Sequence, residues 1–252
     1  MLAGWLAGGL APARFMVLDP QLRRAPDGVT LVADVSALAG GAFDAVLLGV
    51  KPQLLGEVAP SLAPLCGPGT IVLSILAGVE VGSVAGLVPQ ARGIVRIMPN
   101  LAAALGKSPV ALFARGLDEA GRSAVSALMA PLGIPEWLAD EGLFDAVTAL
   151  VGSGPAFIYR FIDALAAAGA ALGLEERQAE RLALAMAEGA ALLAATSPDS
   201  PGALARKVAS PGGTTEAGLR VLDADRAIAR LVEATLRAAA ERGAQLAEAA
   251  RR

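Results

Sequence analysis

The sequence predicts an α/β half built around an open parallel sheet, followed by an all-α half, and three observations predict it. Between residue 15 and about residue 139, short apolar runs recur, each closed by turn residues. Several runs are apolar at every position, which is the habit of strands covered on both faces. After about Asp145 they give way to long stretches at 155–172, 175–195 and 223–251, rich in the strong helix formers alanine and leucine. The division falls at 144/145, with residues 1–144 as the first domain and 145–252 as the second.

Taken in order, residues 1–13 are apolar without a positively charged start, so they read as a core helix and not as a secretion leader. Strands are expected at 15–18, 29–32, 45–50, 70–75, 94–98 and 110–113. Segments such as 36–40 and 52–65 are then the crossovers that parallel strands require. The uncharged run 58–79 has the length of a bilayer span, but Pro60, Pro64, Pro68, Gly67, Gly69 and Gly78 interrupt it. A loop leading into a buried strand is the expectation, with no membrane partner. In the helical half, Glu175, Glu176, Arg177, Glu180 and Arg181 supply a solvated face beside an apolar one. Abundant alanine lets helices approach closely, and helices of a second subunit are the expected partner.

Composition removes whole classes of chemistry. A formal net charge of -3 exerts no general pull on nucleic acid or an anionic membrane. The lone Cys66 cannot close an internal disulfide, which points to a cytoplasmic protein. There is no histidine. Imidazole acid–base catalysis, Ser-His and Cys-His nucleophile pairs and Cys/His zinc sites are therefore excluded, and no metal site is expected.

A few segments remain that could carry chemistry. At 46–53 an apolar strand stops at Pro52 and leaves Lys51 at its carboxyl end. Ligands of open α/β sheets sit at that edge, so the cation could meet a cofactor phosphate or ribose; a solvated lysine would leave the same pattern. Ala77-Gly78 and Met98-Pro99-Asn100 close two further strands, and successive ends of this kind favour a ligand crevice more than any one does. Ser210-Pro211-Gly212-Gly213-Thr214-Thr215 leads into a helical pattern. Glycines that turn amides inward, hydroxyls and a helix N-terminus suit a small carboxylate, although an ordinary N-cap uses the same residue types. Gly152-Ser153-Gly154-Pro155 marks the joint between the halves: its glycines would let backbone line a site between domains, but position alone favours a hinge with Pro as the first helical residue.

In this order and spacing, Val50-Lys51-Pro52-Gln53, Ala77-Gly78-Val79, Arg96-Ile97-Met98-Pro99-Asn100, Asp145-Ala146-Val147-Thr148, Gly152-Ser153-Gly154-Pro155 and the Ser210 segment resemble the pyrroline-5-carboxylate reductase family across nearly the whole chain. The resemblance implies a Rossmann-type domain followed by a helical dimerisation domain, assembled as a homodimer or higher homo-oligomer. It implies reduction of a small molecule, 1-pyrroline-5-carboxylate, to L-proline with NADPH or NADH. Ser210, Gly212, Gly213, Thr214 and Thr215 would then hold the substrate carboxylate, with the Thr215 hydroxyl near the ring nitrogen as the catalytic group. Val50, Lys51, Pro52, Ala77 and Asn100 would line the nicotinamide half. Asp19 would accept hydrogen bonds from the adenosine ribose and repel a 2′-phosphate, favouring NADH, whereas Asp19-Pro20 also reads as a plain turn. Such chemistry needs no histidine, because the cofactor supplies the hydride.

The sequence also departs from the family. Members open with a strand and a Gly-rich turn ahead of a segment like residues 1–6, so the first strand and the amides that would bind a pyrophosphate are expected to be missing. Leu101-Ala102 stands where the family has Thr-Pro, and Ala185-Met186 where it has Gln-Thr. The alternative these departures support is an inactive truncated remnant that dimerises and binds small carboxylates without turnover. A different imine or hydroxyacid reductase is disfavoured, because no lysine lies in 155–172, where hydroxyacid relatives place an acid–base.

Overall fold

The computed structural model describes residues 1–250. Among them the apolar runs form seven strands: β1 (Met16–Leu18), β2 (Thr30–Val32), β3 (Ala45–Leu48), β4 (Ile71–Ser74), β5 (Gly93–Met98), β6 (Ser108–Arg115) and β7 (Gly133–Trp137). β1 and β2 pair in parallel with one another alone, while the other five form one sheet in the order β3-β4-β5-β6-β7. β3, β4 and β5 are parallel, as their apolar character predicts. The β5–β6 pair is antiparallel, against the expectation of an all-parallel sheet. Its connection contains only a 3₁₀ turn, Leu101–Leu105, and is too short for the crossover that a parallel return requires. β7, which the sequence pattern did not suggest, returns parallel to β6 at the sheet edge. Pro135 is tolerated there, where one side of the strand has no ladder partner.

The layers follow from the period of two along β4 and β5. Ile71, Leu73, Val95 and Ile97 join Trp5, Val125, Met129 and Leu132 in one apolar cluster. Val72 and Ile94 point the other way, into a cluster with Leu55, Ala59, Cys66, Val81, Val84 and Val88. Helices α1 (Leu2–Ala7) and α4 (Glu119–Met129) thus supply the first cluster, and α2 (Leu55–Leu62) and α3 (Val81–Leu87) the second. Cover on both faces is why these strands are apolar throughout. Each fully buried aliphatic side chain contributes about 1.5–3 kcal/mol to that arrangement. Burial pushes the Cys66 thiol up, so it serves as an uncharged core filler.

α1 is the core helix expected of the opening segment. Trp5 is buried, stacks on Phe15 at 5.6 Å and donates its indole N–H to Leu128 O at 2.7 Å. A Cβ on Gly4 would lie 2.0 Å from Ala103 O, so only glycine permits this approach. Segment 58–79 is not the expected plain loop before a strand: α2 and a 3₁₀ turn, Ala63–Leu65, precede β4, and α2 accommodates Pro60. The α2 helix survives because Leu55 and Ala59, one turn apart, bury a common face.

After α5 (Phe144–Val147) and a π-helical turn (Thr148–Gly152), the helices are α6 (Gly154–Ala171), α7 (Glu176–Thr196), α8 (Pro201–Val208), α9 (Thr214–Asp223) and α10 (Ala227–Ala250). The chain divides into two compact units, one of residues 1–152 with the chain end from Ala239, the other Ser153–Ala238. Among the described residues of the second unit, the buried apolar side chains are Ala166, Ala179 and Ala183 alone. Far larger groups stay open, Leu172 at 90% and Leu231 at 68% exposure. The run Glu141–Ala171 has the length and composition of a bilayer span, with mean hydropathy 1.2.

Candidate active site

Because β3, β4 and β5 are parallel, their carboxyl ends share one sheet edge. That edge presents Val50, Lys51 and Pro52 after β3, Ala77 after β4, and Asn100 after β5. Lys51 is exposed, held in extended backbone by the 3₁₀ turn Pro52–Leu54 that follows it. A Cβ built on Gly49 would meet only Ile75 Cδ1, at 3.9 Å, so the backbone there faces open space. Ala77 is exposed, and Gly78 adopts φ +74°, a left-handed turn that glycine makes without strain. An exposed cation, open backbone and a small-residue turn fit a nicotinamide and its ribose.

Asn100 has an architectural role as well. Its Oδ1 accepts from the Ala102 N–H at 2.9 Å, its Nδ2 donates to Val151 O at 3.2 Å, and its own N–H donates to Ser108 Oγ at 2.9 Å. Asp19 realises the plain-turn reading: its Oδ1 accepts from the N–H groups of Gln21 at 2.8 Å and Leu22 at 3.1 Å. That fixes a carboxylate at the end of β1.

Sequence reasoning missed a cluster beside this edge. Arg96 interrupts the apolar β5 and is buried, its Nη1 3.2 Å from Glu141 Oε1 and its guanidinium 4.2 Å above the Phe144 ring centroid. Together with Gly78 and Asp145 these groups line a cavity of about 250 Å³. An arginine inside an otherwise apolar strand was the available signal, since such a charge stays buried only when paired.

In the second unit, Ser210 to Gly213 form a tight turn closed by the Gly213 N–H donating to Ser210 O at 2.9 Å. Pro211 presets the turn and Gly212, at φ +74°, completes it. Gly213 is the N-cap of α9 and has no side-chain cap. Instead, the Gly212 N–H donates to Glu216 Oε2 at 2.7 Å, and Glu216 Oε1 accepts from Arg220 at 3.1 Å. This relative of the capping box means that a carboxylate already sits on the bend. The amide of Gly212 is thus engaged internally, while those of Thr214 and Thr215 lie in the first turn, where a helix has no acceptor for them.

A parallel strand edge open to a nucleotide, a helical unit and an anion-suited bend define the class as a nicotinamide-dependent α/β oxidoreductase with an appended helical domain. Residues 141–246 match the family model described as pyrroline-5-carboxylate reductase dimerisation. Over 253 aligned positions the chain is 38% identical to pyrroline-5-carboxylate reductase of Pseudomonas aeruginosa, covering 98% of this chain and 92% of that one. The chain belongs to the pyrroline-5-carboxylate reductase family. The Aquifex aeolicus enzyme of the same name is 42% identical over 78% of this chain and 72% of its own. A solved Coxiella burnetii pyrroline-5-carboxylate reductase superposes with TM-score 0.89 at 30% identity, covering 97% of this chain and 93% of that one. The Plasmodium falciparum structure with NADP bound shares the fold, with TM-score 0.81 at 23% identity over 97% of this chain and 92% of its own. The Rossmann-type and helical halves expected from the sequence are borne out, and the inactive-remnant alternative finds no support.

Proposed function

We propose that the chain reduces 1-pyrroline-5-carboxylate to L-proline with NADPH or NADH, in the cytoplasm, as a homo-oligomer. The observation that carries this reading beyond the likeness is the bend at 210–213, which presents backbone amides to a carboxylate and already holds that of Glu216. When bound, the cofactor supplies the hydride for the imine carbon. The chain has the remaining tasks. Thr214 and Thr215 present first-turn amides to the substrate carboxylate, with Ser210 and Gly213 shaping the turn that aims them. Gly212 joins them only by giving up Glu216. Thr215 Oγ1 donates its hydrogen bond to the ring nitrogen and passes it that proton as hydride reaches the imine carbon, so that imine, hydride and proton give the amine and solvent returns a proton to the hydroxyl. Lys51, with Val50, Pro52 and Ala77, holds the nicotinamide side, and Asn100 fixes the strand end beneath it. The direct test follows nicotinamide absorbance when the chain is mixed with pyrroline-5-carboxylate; absence of turnover with both cofactors overturns the assignment.

The carboxylate of Asp19 would repel a 2′-phosphate, so KM for NADH is expected to lie below that for NADPH. A clear NADPH preference defeats that role. The homo-oligomer reading rests on the helical unit, whose own buried apolar side chains are alanines while most of its leucines are exposed. A second copy is the natural cover, and we read helix α6, the C-terminal part of the apolar run 141–171, as part of that surface and not as a membrane span. No nucleic-acid partner is proposed. Sedimentation at micromolar concentration should give no monomer; a monomeric mass removes the reading.

A further inference from the structure

We propose that Glu141 is a positioning residue for the nicotinamide half of the site, tying the turn that carries Ala77 to the strand end that carries Asn100. This inference rests on the reading of those two residues as cofactor-lining. One oxygen of Glu141 serves two elements: Oε1 accepts from the Val81 N–H at 2.8 Å and from Arg96 Nη1 at 3.2 Å. Val81 is the first residue of α3, just beyond the turn, and Arg96 lies within β5, one helical turn's worth of sequence before Asn100.

The two elements differ in how well they hold themselves. The end of β5 is anchored by the three hydrogen bonds of Asn100, all between 2.9 and 3.2 Å. The turn after β4 has poor bonds of its own: Leu76 N–H to Ser74 Oγ and Val79 N–H to Leu76 O are both 3.4 Å. Bonds of that length hold little. Glu141 therefore transfers the order of the rigid strand end to the looser turn. Its own placement is secured by Asp140, whose Oδ1 accepts from the Gly142 N–H at 2.7 Å, and by Phe144, buried beneath the Arg96 guanidinium. The Glu141 side chain is only 18% exposed, and its loss of hydration is offset by the pairing with Arg96.

The test compares Glu141→Ala and Glu141→Gln with the parent full-length chain. Both hydrogen bonds fall on a single oxygen, so glutamine can accept both but leaves the Arg96 charge without its counter-charge, whereas alanine loses bonds and charge together. Val125→Ala, a cavity variant in the opposite apolar cluster, controls for loss of stability alone. In Glu141→Ala, the NAD(P)H dissociation constant by fluorescence titration is expected to rise about fivefold or more, the equivalent of one lost net hydrogen bond. Hydrogen exchange in a peptide covering Val81 should accelerate in the same variant. Glu141→Gln should fall between the parent and Glu141→Ala in dissociation constant and keep Val81 exchange near that of the parent, because the bond from the neutral Val81 N–H persists while the charge opposite Arg96 is lost. An unchanged constant or unchanged Val81 exchange in Glu141→Ala, or an equal rise in Val125→Ala, overturns the proposal. A parent chain that binds NAD(P)H without reducing the imine overturns the assigned reaction and leaves the tether standing; one that binds neither cofactor overturns both.

Discussion

Thr215→Val is expected to lower kcat about 100-fold, within the range for removing a hydroxyl of the kind proposed here, one that handles a proton at the reacting nitrogen. Valine matches threonine in shape and keeps its branching, so helix α9 loses no packing. Nor does it lose a cap, because Gly213 and not Thr215 occupies the N-cap, and the carboxylate on the bend belongs to Glu216. The expected signature is therefore a loss in kcat with circular dichroism, melting temperature and oligomer mass unchanged. Thr215→Ser restores the hydroxyl and should recover most of the rate. Steady-state kinetics decide it: a valine variant within about threefold of the parent, less than the smallest usual acid–base contribution, leaves Thr215 without its role.

Gly133→Ala is the substitution with the largest expected effect on folding. Gly133 opens β7 at φ +144°, and a Cβ there would lie 2.0 Å from Ser108 O and 2.6 Å from Ser108 N, the residue it pairs with in β6. Those neighbours are backbone atoms inside a ladder and cannot swing aside. Strain in a glycine-only conformation and forced overpacking each cost about 1–3 kcal/mol, so a total near 4 kcal/mol is expected. For a chain of this size that lowers Tm by roughly 8–16 °C. Thermal unfolding at fixed protein concentration measures it. A fall of under about 3 °C, less than 1.5 kcal/mol, shows that β6 and β7 part easily and that the clash is relieved by movement.

What could be read in the sequence follows from which interactions are local in the chain. β4 and β5 announce themselves because both faces are covered: Val72 and Leu73 are adjacent, point into opposite clusters, and must both be apolar. The same character hides direction, so the reversal at β6 depends on the length of the connection and not on composition. β7 was missed because Pro135 and Glu136 break an apolar run that needs only one covered edge. Among the proposed site residues, the strand-end positions of Lys51 and Ala77 were legible because turn residues mark strand ends, and the Ser210 bend because Pro-Gly-Gly allows few other conformations. The grip of Glu216 on Gly212 is a contact four residues long, and the capping-box pattern could have disclosed it. Glu141 and Arg96 stand 45 positions apart, and only the fold brings that carboxylate to that guanidinium.

β3 is the outer member of its sheet, and its four residues, Ala45, Val46, Leu47 and Leu48, include no charge, with Leu47 exposed. Peptide groups along such a margin have no ladder partner on one side and no lysine or proline to discourage one. An extended stretch of another polypeptide can dock there backbone to backbone, whatever its side chains. With only four residues, however, the margin offers few peptide groups, so its shortness itself blunts such docking.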